Sequence, residues 1–152
     1  MIETLVNALA KENVALNDTQ ISQFEKYYQL LIEWNEKMNL TAITEPTEVA
    51  IKHFYDSITF LFHTDMKECG KVIDVGTGAG FPGIPLKIMR PDIQLTLLDS
   101  LNKRLIFLQE VCDKIGIDAE IIHKRPEEGG RDKNLREEFD IATSRAVANM
   151  NT

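Results

Sequence analysis

Three features of the sequence predict an α/β fold built on a parallel sheet. From Lys71 onward, short apolar strand-like runs alternate with helical patterns. A glycine-rich turn, Gly76-Thr77-Gly78-Ala79-Gly80, joins the first of those runs, Val72-Ile73-Asp74-Val75, to the next helical pattern. Residues 1–68 carry helical periodicity and lack that alternation, so two parts are expected, 1–68 and 69–152. Strand–helix alternation is what a sheet wound by crossover helices requires, because parallel neighbours cannot be joined by a tight turn.

The elements follow from spacing. Ile2, Leu5, Val6 and Leu9 recur at i, i+3, i+4 and i+7, which predicts a short amphipathic helix to Lys11. Asn17 with Gln20 three residues later has the capping-box offset, and Ile21, Phe24, Tyr28, Leu31 and Met38 continue the stripe of a long second helix. Tyr27, Leu30 and Trp34 widen that stripe, and such a face is expected in the core. Residues 39–44 read as a connector. Pro46 suits the first turn of a third helix presenting Val49, Phe54, Ile58, Leu61 and Phe62. Within it His53 is either a base or phosphate contact or a packed histidine, and the packed reading is preferred. Strands are then expected at 71–75, 94–99, 119–123 and 139–143, helices near 83–90 and 102–115, and a polar loop over 124–137. Doubly wound sheets usually have more than four strands, so this one looks cut short after the fourth.

Composition narrows the class. A hydrophobic content of 43% and a charged content of 27% are those of an ordinary globular protein. No apolar run is long enough for a membrane span, and the acidic start lacks the basic region of a secretory signal, so a cytoplasmic protein without membrane partners is expected. Cys69 and Cys112 lack metal-ligand spacing, so no metal site is expected. The net charge of −7 opposes nucleic-acid binding at first sight. Residues 1–70, however, carry 5 basic and 11 acidic side chains, and residues 71–152 carry 12 and 13. The second part therefore has room for a local basic face among Lys87, Arg90, Lys103, Arg104, Lys124 and Arg125, although composition favours a mixed solvated surface.

The glycine turn reads as a cofactor seat, because a strand that stops at a glycine turn and feeds a helix leaves backbone N–H groups pointing at whatever lies above it. No Lys-Ser/Thr follows it, which excludes a phosphate-cradling P-loop. A dinucleotide fingerprint can be read at Gly78, Gly80 and Gly83, but that register starts past the strand end and has Pro82 inside the turn. S-adenosylmethionine fits better. It has no phosphates, and Asp99, at the end of the run Leu95-Thr96-Leu97-Leu98, can accept from both hydroxyls of a ribose. The competing role for Asp99 is to cap the helix that follows.

Five ordered motifs carry a resemblance. They are Trp34 to Thr41 (WNEKMNLT), Lys52 to Ser57 (KHFYDS), Asp74 to Leu86 (DVGTGAGFPGIPL), Asp99 to Arg104 (DSLNKR) and Ser144-Arg145-Ala146. Together they closely resemble the small-subunit ribosomal RNA guanine-N7 methyltransferases, the glucose-inhibited division protein B family, over nearly the whole chain.

The resemblance implies a Rossmann-like S-adenosylmethionine-dependent methyltransferase fold, with 1–68 as an N-terminal helical cap and 69–152 as the first part of the methyltransferase domain. It implies that Gly76, Gly78, Phe81 and Asp99 line the cofactor site, and that Pro126 and Glu127 contact its adenine end. Pro126 stands where the family usually has Ala, and it brings no N–H to that contact. Arg145 matches the position beside cofactor and target base, the one catalytic candidate. The implied substrate is a guanine of 16S ribosomal RNA in the small ribosomal subunit, and a monomer is expected. Two other readings stay open: an NAD-dependent enzyme using the Gly78, Gly80, Gly83 register, and a non-catalytic piece that only contacts RNA.

Overall fold

The computed structural model describes residues 1–125 and 138–144. Helix α1 (Ile2–Ala10) is followed by α2 (Asp18–Met38), which opens on the expected capping box: Gln20 N–H donates to Asn17 and Asn17 N–H to the Gln20 side chain. The helix ends at Asn39, whose left-handed φ of 47° turns the chain out.

The single helix expected from Pro46 is instead three pieces: α3 (Pro46–Glu48), a π-helical segment (Val49–Tyr55) and α4 (Asp56–His63). The buried residues explain the difference. Val49, Ala50, His53, Phe54, Ser57 and Ile58 recur with a period of four, and on a 3.6-residue turn that stripe drifts by about 40° per repeat. A wider turn keeps His53 and Phe54 on the buried side.

The sheet is wholly parallel, in the order β3-β2-β1-β4, from β1 (Lys71–Val75), β2 (Gln94–Asp99), β3 (Glu120–His123) and β4 (Ile141–Thr143). Helix α5 (Gly83–Met89) crosses from β1 to β2, and α6 (Asn102–Ile115) from β2 to β3. The strands match their expected positions to within two residues. β1 and β2 are buried along almost their whole length, as a strand covered on both faces must be.

Helix α2 lies against α5 and α6, where Gln20 Nε2 donates to Ile88 O and Gln23 Nε2 to Ile115 O. Both acceptors are carbonyls from the last turn of a helix, groups that the helices cannot satisfy themselves. One apolar cluster runs from Leu5 and Leu9 through Phe24, Tyr27 and Phe54 to Ile84, Leu97 and Phe107, so helical part and sheet part share a core. Cys112 belongs to it, and burial pushes its thiol up to about 12, which keeps it protonated.

A second tie lies at the amino-terminal end of the sheet. Arg90 grips Asp92 through Nε–Oδ1 (2.9 Å) and Nη2–Oδ2 (2.8 Å) and donates from Nη1 to Met66 O, while Cys69 N–H donates to Asp92 Oδ2. The guanidinium and that amide hold the Asp92 carboxyl far below the usual carboxylate range. As pH falls, the unfolded chain takes up the Asp92 proton first, so the tie's contribution is complete above the ordinary carboxylate value and fades as pH drops towards the lower folded one. Asp92→Asn is expected to lower stability by roughly 1 kcal/mol at pH 7. In urea titrations, the gap from wild type should narrow between about pH 4 and pH 2; a gap independent of pH would contradict the tie.

Candidate cofactor site

β1 ends at Val75, and the chain turns through Gly76 (φ 67°), Gly78 (φ 60°) and Gly80 (φ 101°) before α5 begins at Gly83. Only glycine takes up such values without strain. The turn lies where the strand order reverses: the chain moves outward from β1 to β2 and β3, then returns to place β4 on the other side of β1. Ligands of open α/β sheets bind at that switch point, beyond the carboxyl ends of the strands.

The turn does not hold its amides out to a ligand, as expected of a generic seat. Gly76 and Thr77 N–H both donate to Leu98 O, and Gly80 and Phe81 N–H to Thr77 O. Gly78 N–H donates to Asp99 Oδ2 (2.8 Å) and Gly83 N–H to Asp74 Oδ2 (2.9 Å), an oxygen that also accepts from the Thr77 hydroxyl (2.6 Å). Asp74 is fully buried and Asp99 is 1% exposed. A phosphate would find these donors already taken.

The glycines divide by what surrounds them. A Cβ on Gly80 would come within 2.6 Å of Tyr27 Oη and 2.7 Å of Ile84 Cδ1, and one on Gly83 within 2.7 Å of Leu97 Cδ2 and 2.9 Å of Asp74 Oδ2. Protein atoms fill those places, so neither glycine is there for a dinucleotide. Gly78 has nothing within 4 Å of such a Cβ, and within 76–86 it alone is not buried. The open point of the turn is thus Gly78, held by Asp99 beneath it.

Of the two roles weighed for Asp99, the structure shows a contact at the entry to α6. Its Oδ1 accepts from Leu101 N–H (3.0 Å) at the entry to α6 and from Arg104 Nη1 (3.3 Å), while Oδ2 holds Gly78. Phe81 is buried: its ring stacks on Tyr27 (centroids 5.6 Å apart) and on His53 (4.4 Å, 9° between planes), and touches Phe54. His53 is packed, as preferred, with Nε2 2.8 Å from Thr41 Oγ1, which also accepts from Ile43 N–H. The structure thus gathers Gly76, Gly78, Phe81 and Asp99 around one turn. Pro126, Glu127 and Arg145 lie outside the described residues.

Two residues without an assigned role hold this arrangement. Tyr27 donates from its buried hydroxyl to Ala79 O (2.6 Å), joining α2 to the turn. Its place on an apolar helix face gives no sign of that bond. Asp74 has a visible signal, a carboxylate inside the run Val72-Ile73-Asp74-Val75, where a charge is retained only if it is hydrogen-bonded.

Gly80→Ala, at a left-handed φ and against Tyr27 and Ile84, is expected to cost roughly 2–4 kcal/mol of stability. Gly78→Ala, strained but unobstructed, should cost about 1–2 kcal/mol. Chemical denaturation of both variants checks the order, and a reversal would contradict the division. Tyr27→Phe, which orphans the buried Ala79 carbonyl, should lower stability by roughly 1–3 kcal/mol in the same assay.

A solved structure described as a putative protein-L-isoaspartate O-methyltransferase from Plasmodium falciparum, in complex with S-adenosyl-L-homocysteine, superposes with a TM-score of 0.53 at 18% identity, covering 92% of this chain and 71% of that one. The fold is therefore the Rossmann-like methyltransferase fold expected from the motifs. Proteins named ribosomal RNA small subunit methyltransferase G are similar to nearly the whole chain. That of an Exiguobacterium species is 51% identical over 146 residues, 95% of this chain and 61% of its own length. Those of Bacillus velezensis (48%, over 98% of this chain and 63% of the relative) and Clostridium perfringens (58%, over 88% and 56%) are comparable. The chain spans about three-fifths of the length of these curated relatives. The family model described as rRNA small subunit methyltransferase G matches residues 20–152, and with these relatives it establishes that the chain belongs to that family.

Proposed function

We propose that this chain provides the S-adenosylmethionine site of an enzyme that methylates N7 of a guanine in 16S ribosomal RNA of the small ribosomal subunit. The observation that carries the cofactor reading is the turn itself, whose Gly76, Thr77, Gly78, Gly80, Phe81 and Gly83 amides donate within the protein while its one open position, Gly78, is held by the Asp99 carboxylate. Such a site suits a ligand that brings hydroxyl donors and positive charge and no phosphate. Membership of the family supports the RNA substrate. In this reading residues 1–68 act as the helical cap and 69–152 as the first part of the methyltransferase domain. In this reading the protein is a monomer of the cytoplasm; among the described residues no helix is long and apolar enough to cross a membrane.

When bound, the cofactor supplies an electrophilic methyl group on a sulfonium. Asp99 would accept from its ribose hydroxyls, Gly76 and Gly78 would let it approach the backbone, and Phe81, wedged between Tyr27 and His53, would keep the turn in shape. Pro126 and Glu127 would meet the adenine end. Guanine N7 has a free lone pair and no proton, so it could accept the methyl group that the cofactor would supply with no general base from the protein. Alignment is the main requirement, and holding reactants in line supplies much of a barrier reduction. Arg145 is assigned to hold the O6 edge of the base or an adjacent phosphate.

Calorimetric titration of S-adenosylhomocysteine into the chain should show saturable binding, weakened roughly ten- to hundredfold in Asp99→Asn, which loses a charge-assisted contact. Isolated small ribosomal subunits should accept labelled methyl groups at guanine N7. A chain that neither binds the cofactor product nor transfers a methyl group would sink the proposal.

A further inference from the structure

The six basic residues considered for a common face occupy two separate places. Lys87 donates to Pro91 O and Ile93 O, and Arg90 is clamped on Asp92, both at the amino-terminal end of the sheet. The other four collect at the opposite end. Asp99 pairs in register with His123, Lys124 N–H donates to Asp99 O (3.0 Å), and His123 Nε2–H donates to Ser100 O (2.9 Å). Those bonds put Lys124 and Arg125, past the end of β3, at the same end of the sheet as Lys103 and Arg104 in the first turn of α6. Lys103 and Arg125 are exposed, and Arg104 leans on the buried Asp99.

The charges along these elements are polarised. Among the described residues of β2, β3, α6 and their connections, Asp99 is the one acid at this end, and it is buried and paired. Glu110, Asp113, Asp118 and Glu120 all lie toward the other end. Folding alone does not favour that arrangement. The first turn of α6 has no acidic residue and its N-cap, Leu101, gives no side-chain hydrogen bond, while Lys103 and Arg104 set positive charge against the positive end of the helix dipole. Arg104 gains the bond to Asp99 in return, whereas Lys103 gains no such contact among the described residues, and a local rule broken without a structural return points to a role in binding. Leu101, in the same turn, is 50% exposed.

We infer that Lys103, Lys124 and Arg125 form a phosphate-binding strip that docks the backbone of the RNA substrate next to the Asp99 side of the cofactor site. This rests on the proposed function for the identity of the polyanion. In a chain of net charge −7 a local basic strip also orients the approach, because it attracts a polyanion that the net charge repels. Arg104 stands behind the strip, on Asp99.

The test is filter binding of transcribed 16S ribosomal RNA across a range of salt, with S-adenosylhomocysteine calorimetry on the same preparations. The double reversal Lys103→Glu with Arg125→Glu should weaken RNA binding at least tenfold and flatten the slope of log affinity against log salt by roughly 2, one unit per phosphate contact. Its cofactor binding and circular dichroism should match wild type, and Lys103→Arg should bind RNA normally. A charge-matched reversal on the helical part, Lys11→Glu with Lys26→Glu, should change RNA affinity less than twofold. The inference is overturned if the strip reversal binds RNA like wild type, if the remote reversal is equally damaging, or if the wild-type chain does not bind RNA. Loss of cofactor binding by the wild type, with RNA binding and its dependence on the strip intact, counts against the proposed function alone.

Discussion

Two buried carboxylates at the ends of neighbouring strands hold the turn on which the rest of the molecule depends. Asp74 closes β1 and takes the Thr77 hydroxyl and the Gly83 amide; Asp99 closes β2 and takes the Gly78 amide. A charge removed from water is costly unless donors replace the water, and here the backbone of the turn supplies them. The dependence runs both ways. The turn can be rich in glycine and still have one shape because its amides have fixed acceptors, and the carboxylates can stay buried because the amides are there. Gly83, at the start of α5, leaves only enough room for Asp74 to reach its amide, which links the turn to the helix behind it.

The N-terminal helices are part of the same construction. The Tyr27 hydroxyl ends on Ala79 O, and the Tyr27, His53 and Phe54 rings surround Phe81. Each aromatic pair contributes of the order of 1 kcal/mol beyond its buried area, so the cluster fixes the far side of the turn as firmly as the carboxylates fix the near side. The π-helical segment belongs to this joint. By widening one turn it places His53 and Phe54 side by side on the buried face, and Thr41 closes on His53 from the connector. Three motifs far apart in sequence, WNEKMNLT, KHFYDS and the glycine turn, thus meet at Phe81.

Most of the fold could be read from the sequence because the signals were local. The alternation after Lys71, the Asn17–Gln20 box and the glycine turn each depend on residues within a few positions of one another, and each has its expected place in the structure. What escaped reading depends on contacts across the chain. A helical period places Tyr27 on an apolar face but does not say that its hydroxyl will meet a carbonyl 52 residues away. The third helix was expected to be continuous because proline and apolar spacing mark where a helix starts and which face it buries, whereas the four-residue period that widens it emerges only when the buried positions are counted. The seat was expected to present free amides, since a glycine turn before a helix usually does; which acceptors would reach them depends on how β2 lies beside β1.

The occupied amides also bear on why one turn geometry serves different cofactors. A strand, a glycine turn and a helix provide the same backbone frame whether the ligand is a dinucleotide or a sulfonium compound, and the difference lies in what fills the frame. With donors left free, the frame attracts phosphate. Here Leu98 O, Thr77 O, Asp74 and Asp99 take up the amides of Gly76, Thr77, Gly78, Gly80, Phe81 and Gly83, and the group that holds Gly78 is a carboxylate. The polarity of the seat has been inverted without changing its path. The same end of the sheet then has a second, opposite polarity further out, where Lys103, Lys124 and Arg125 stand around the buried acid. An inner carboxylate suited to a cation and an outer basic rim suited to a polyanion are compatible only because Asp99 is buried and paired with Arg104, so that its charge does not reach the rim.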